Sequence, residues 1–133
     1  MSLTREQILQ ADDIKIEKVN IPEWPDDCIY VKGLTGKEKD AWEISQMEFV
    51  EGKTKPTIIY DNMRAKLCAR TICDEKGKLL FKESDIEALG EKSGGALSTI
   101  FDIAQRLSGI TKDDVEKLVK NSKSAQTEGS ISD

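Results

Sequence analysis

Two carboxylate pairs, Asp85 with Glu87 and Asp113 with Asp114, are the residues of this sequence best suited to moving a proton. General acid–base work needs such a pair to be convergent, partly buried and separated in pKa. All four fall at the start of an expected helix, where the positive end of the helix dipole stabilises a carboxylate for purely structural reasons. Histidine, the commonest general base and metal ligand, does not occur in the chain. Cys28, Cys68 and Cys73 are odd in number and lack C-x-x-C spacing, and two of them lie in an apolar segment. They read as reduced residues packed like small hydrophobes, with no neighbouring base to lower a thiol pKa.

Two short motifs fail on their context. Gly52-Lys53-Thr54 resembles the end of a phosphate-binding loop, but the first glycine of that pattern would stand at position 47, which is Met47, and a helix precedes it where a strand is required. Asp74 and Glu75 open an acidic turn, yet Gly77 is fourth where a calcium loop wants its glycine sixth. An enzyme using carboxylates or a cysteine is thus disfavoured, and no catalytic, cofactor-binding or metal-binding residue is expected. The cofactor expectation is none.

The elements that would position any such group read as an α+β fold. Thr4 is a candidate cap for a short first helix carrying Ile8 and Leu9. Ile14, Ile16, Val19 and Ile21 read as a strand ended by Pro22 and Pro25, with Trp24 between the prolines. Cys28 to Lys32 is rich in β-formers and reads as a second strand, so a small antiparallel sheet is expected. Thr35 and Glu38 have capping-box spacing for a helix expected to run to about Val50. Trp42 and Phe49, seven apart, would share one of its faces. Asp61 is the expected cap of a central helix running to about Cys73. Lys66 and Arg70 form its polar strip, more suited to a structural ion pair than to an anion site, and a buried Arg64 would need a carboxylate. After a turn at Gly77 comes a short strand, Leu79 to Phe81. Ser84 caps a helix of one to two turns closed by Gly90. Ser93 starts the clearest amphipathic helix, with Leu97, Ile100, Phe101, Ala104 and Leu107 at helical spacing and Gly109 as its stop. Thr111 starts a last helix whose Val115, Leu118 and Val119 make a narrow apolar face. The reading is a single domain over 1–122, with the sheet near the N-terminal half packed by four to five helices, and a disordered polar tail over 123–133.

Composition narrows the function classes. The 133 residues carry a net charge of −5 with lysines and carboxylates interleaved, as in Lys37-Glu38-Lys39-Asp40, which is the pattern of a solvated face and not of a nucleic-acid interface. No apolar run approaches the roughly 20 residues of a membrane span. The opening residues lack the basic and apolar blocks of a secretory signal, so a cytoplasmic location is expected.

With these residues placed, the chain resembles the phage tail assembly chaperones encoded by siphophage-like and myophage-like prophages of Gram-positive bacteria. The resemblance spans about 31 to 122. It rests on V-K-G-L-T-G-K-E-K-D-A-W-E, on R-x-K-L-C-A-R-T-I-C-D-E-K-G-K-L-L-F from Arg64 to Phe81, on D-I-E-A-L from Asp85, and on the ending D-V-E-K-L-V-K-N-S. It implies a non-catalytic protein of the bacterial host cytoplasm that coats the long helical tape measure protein, helps recruit tail tube protein and is absent from the finished virion. It also implies that the gene can yield a longer frameshifted product, this chain being the short one. Its partners would be the tape measure protein and the tail tube protein, without nucleic acid or membrane, and self-association is left open. A structural tail component retained in the virion, a connector or completion protein, is the competing expectation. The residues expected to touch a partner are Trp42, Phe49, Val115, Leu118 and Val119, as an apolar strip for an amphipathic helix.

Overall fold

A computed structural model describes residues 1–111, 113–114 and 116–117 of the chain. In chain order its elements are α1 (Arg5–Gln10), β1 (Ile16–Val19), β2 (Ile29–Lys32), α2 (Gly36–Ser45), β3 (Met47–Glu48), β4 (Thr57–Ile58), α3 (Met63–Thr71), β5 (Ile72–Cys73), a 3-10 turn (Glu83–Asp85), α4 (Ile86–Gly90) and α5 (Gly94–Leu107). The fold is α+β, as expected.

β-Forming side chains and the two prolines between them define the first pair of strands. β1 and β2 run antiparallel with Ile16 opposite Lys32 and Val19 opposite Ile29. β5 adds to the other edge of β2, with Val31 opposite Ile72, so the sheet order is β1-β2-β5. A second, two-stranded sheet pairs β3 with β4.

Local chemistry fixes most helix starts where the sequence marks them. Thr35 Oγ1 accepts from the Glu38 N–H at 3.1 Å and Glu38 Oε1 accepts from the Thr35 N–H at 2.9 Å, the expected capping box of α2. Ser93 Oγ accepts from the Ala96 N–H at 3.3 Å and starts α5. Gly77 and Gly109 take positive φ, 89° and 69°, at a turn and just beyond a helix end.

Five expectations are corrected. α2 stops at Ser45 instead of running to about Val50, because the next residues are captured by strand pairing: Met47 and Glu48 face Ile58 and Thr57, and the Gln46 carbonyl accepts from the Ile59 N–H at 2.6 Å. Lys66 Nζ, donating to the Ser45 carbonyl at 3.0 Å, satisfies the helix end there. α3 is capped at Asn62, in a left-handed conformation with φ 57°, and not at Asp61; the Asn62 amide donates to Glu87 Oε1 at 3.0 Å. It ends at Thr71, since Ile72 and Cys73 leave the helix to join β2. The strand expected over Leu79–Phe81 reduces to one bridge, Cys73 to Leu79. At the following turn the closing group is Asp85, whose Oδ2 accepts from the Lys82 N–H at 2.8 Å, and not Ser84.

One apolar cluster joins these pieces. Val31 of β2, Trp42 of α2, Leu67 of α3, Ile72 of β5 and Ile100 of α5 are all at most 1% exposed. Trp42 meets Phe101 edge-on with ring centroids 6.4 Å apart. The packing of α3 on α5 is the centre of this arrangement, with α4 against α3. The expected tail over 123–133 lies outside the described residues, as do Val115, Leu118 and Val119.

Candidate functional site

Several ionisable groups are committed to structure. Asp74 Oδ1 accepts from the N–H groups of Lys76 and Lys78 at 2.8 and 2.9 Å, and these bonds, that of Lys78 foremost, hold its carboxyl below its ordinary value. Asp114 is held low in the same way by the Thr111 N–H and hydroxyl, with Lys39 Nζ 3.9 Å away. Asp85 closes a turn, as above. Arg70 pairs with Glu83 at 2.8 Å and also donates to the Lys66 carbonyl at 3.1 Å, the structural ion pair expected of that strip, while Arg64 is exposed. Burial pushes the Cys68 thiol up to about 12 and raises Cys73 in the same direction, the opposite of activation. Gly52-Lys53-Thr54 lies in the exposed connection between β3 and β4. Among the described residues no cluster of three or more metal-ligating side chains occurs, and no helix is long and apolar enough to cross a membrane.

What the surface offers instead is apolar area. Of the five residues expected to touch a partner, Trp42 is 1% exposed and is held in the core against Phe101, so it presents no face outward. Phe49 is 70% exposed, and Ile44 and Val50, within the same seven-residue stretch at the end of α2 and start of the β3–β4 hairpin, are 58% and 41% exposed. The other three expected residues lie outside the described residues.

A second apolar surface escaped the sequence reading. An open groove of about 350 Å³ is lined by Trp24, Ile29, Ile72, Leu80, Phe81 and Leu89, with Asp85 and Lys92 as its charged members. Two signals could have found it: a large aromatic residue held between Pro22 and Pro25, and the run Leu79-Leu80-Phe81 directly after a tight turn. Leu80, 55% exposed, lies on this groove. A third exposed apolar feature is α1, which buries no residue although it carries Ile8 and Leu9.

Comparison with known proteins bears on what such surfaces are for. No curated protein sequence matches the chain. Among solved structures, the tail assembly chaperone of bacteriophage HK97 superposes with a TM-score of 0.53 at 17% identity, over 77% of this chain and 94% of that one, a likeness that shows a shared fold. The profile of the phage tail assembly chaperones matches residues 4–118, and the chain belongs to that family, whose role is that of a chaperone in tail assembly.

Proposed function

We propose that this protein binds the tape measure protein in the host cytoplasm, keeps it soluble and aids assembly of the tail tube around it, without catalysing a reaction. The observation that carries the contact surface is the exposed apolar stretch Ile44, Phe49 and Val50. Three large apolar side chains held in water near one hairpin suit the apolar face of an amphipathic helix, which docks through residues at i, i+3, i+4 and i+7. Because none of the three belongs to the buried core, they are free to serve a partner without a cost to folding. Burying Phe49 in a complex is worth about 1.5–3 kcal/mol, or roughly ten- to a hundredfold in affinity.

Co-expression with tape measure fragments tests the reading. The wild-type chain is expected to hold a fragment in the soluble fraction and to co-purify with it. Phe49→Asp and Ile44→Asp, both at exposed positions, are expected to lose the fragment while keeping the wild-type circular dichroism. Failure of the wild-type chain to bind any fragment sinks the proposal. Mass spectrometry of purified particles supplies the other check, since retention of the chain in virions would make it a structural tail component.

A further inference from the structure

The Trp24–Leu80–Phe81 groove is shaped by the fold itself. Pro22 and Pro25 fix the backbone on either side of Trp24, and the Trp24 N–H closes a turn on the Ile21 carbonyl at 2.9 Å. Ala88 and Leu89, in the opposite part of the lining, stand on α4, which packs against α3. A groove held in this way binds without first ordering its own walls. Its lining is mostly apolar, so an occupant must bring apolar side chains.

Charge says what else that occupant carries. Two segments, 22–29 and 80–92, supply all of the lining except Ile72. They hold seven of the chain's 25 acidic residues but only two of its 20 basic ones, and the remainder, eighteen of each sign, cancel. The net charge of −5 is therefore the charge of these two segments. Helix stability accounts for only part of it. Asp85 and Glu87 lie at the start of α4, where the helix dipole favours a carboxylate, and Glu83 is paired with Arg70. Glu91 stands at the other end, the C-cap of α4, where a carboxylate is disfavoured and no basic residue offsets it in the last turn. Asp26 belongs to no helix, and among the described residues neither Asp26 nor Glu91 enters an ion pair. Both are exposed, and each lies two residues from a lining side chain, Trp24 for one and Leu89 for the other. Lys92 of the lining directly follows Glu91 and does not reverse the sign. Rim charges of one sign steer and orient a partner of the other.

We propose that this groove receives a cationic amphipathic segment of a partner protein, its apolar side chains on Trp24, Leu80 and Phe81 and its lysines or arginines toward Asp26, Asp85 and Glu91. The site shares no residue with the Ile44–Val50 stretch and does not depend on the tape measure reading.

The probe is a tryptophan-free synthetic helix with leucines at i, i+3, i+4 and i+7 flanked by lysines, set against the same peptide with glutamates for the lysines. The chain has two tryptophans and Trp42 is 1% exposed in the core, so a change of emission on titration reports Trp24, while calorimetry gives the affinities. The lysine peptide is expected to bind at least about tenfold more tightly than the glutamate peptide, and to weaken with added salt. Asp26→Lys with Glu91→Lys is expected to reverse that preference with unchanged circular dichroism. Leu80→Ser is expected to weaken the lysine peptide by about tenfold. Ala88→Gln, also at an exposed position of the lining, carries this arm if Leu80→Ser fails to fold. Phe49→Asp is expected to bind the peptide like wild type, so failure of this site and failure of tape measure binding are read separately.

A wild type that binds neither peptide, equal affinity for both, or a preference that survives the double charge reversal would overturn the proposal. Groove variants that bind like wild type would do so too, since the attraction would then be to net charge alone. Loss of the peptide in Phe49→Asp would move it to the other surface and overturn the assignment. A Trp24 emission that shifts on dilution of the free chain would place a second copy in the groove, which overturns it as well.

Discussion

Cys68 shows how strongly position alone sets chemistry in this chain. Its thiol is fully buried, 3.6 Å from the Leu97 carbonyl, and burial pushes its pKa from 9.0 up to about 12. An unfolded chain therefore loses this proton near pH 9 while the folded chain keeps it, and the folded state binds more protons across the interval between. The contribution is fully present below pH 9.0 and is lost as pH rises toward 12. Urea unfolding from neutral pH upward should show stability falling by about 1.4 kcal/mol per pH unit once pH 9 is passed. Cys73, raised by the same cause, adds in the same direction. Cys68→Ala should remove the larger part of the slope, and an unchanged slope in that variant would refute the assignment. Position likewise separates Trp42 from Phe49. As residues of one long helix they would share a face, but the helix ends at Ser45, so one side chain turns into the core and the other stands in water. Phe49 was legible as a candidate contact residue, but its separation from Trp42 was not, because that depends on the strand pairing that follows the end of the helix at Ser45. The groove was not, because Trp24, Ile72 and Leu80 converge from segments distant in sequence and share no period.

Elements differ in how much of their making is local. Caps are local: Thr35 with Glu38 and Ser93 with Ala96 act across three residues, and both starts could be read from residue types alone. Strands of two residues are not, since Met47–Glu48, Thr57–Ile58 and Ile72–Cys73 are too short to carry an alternation and exist because a partner strand is present. Glycines divide in the same way. At Gly33, just past β2, an added Cβ would stand 2.5 Å from the Leu107 carbonyl oxygen at the end of α5, a backbone atom that cannot swing aside. At Gly36, the first residue of α2, an added Cβ meets nothing within 4 Å. Thermal or urea unfolding should therefore place Gly33→Ala about 1–3 kcal/mol below wild type. Gly36→Ala should come out at or above it, by up to about 1 kcal/mol, through the lower entropy of its unfolded chain. Equal effects of the two substitutions would show that the approach of β2 to α5 is not tight.

The described residues form one core, with α1 standing outside it. Among the described residues every buried apolar residue except Cys73 belongs to a single cluster that runs from Val19 to Ile110 and takes in both sides of the sheet-to-helix packing, so the chain should unfold in one cooperative step. Residues 1–10 contribute nothing to that cluster, all of them being exposed. Their removal should leave the unfolding free energy of the monomer within about 0.5 kcal/mol of wild type, the range of surface changes that touch no packed feature. Trp42→Ala, by contrast, empties the middle of the cluster and should cost about 3–5 kcal/mol. Urea titrations of the three proteins at a dilution where each is monomeric make the comparison. A truncated chain with clearly lower stability would mean that α1 packs on its own core after all. A truncated chain of full stability would show that the core folds without α1 and that the capping box of Thr4 and Gln7 serves only its own helix.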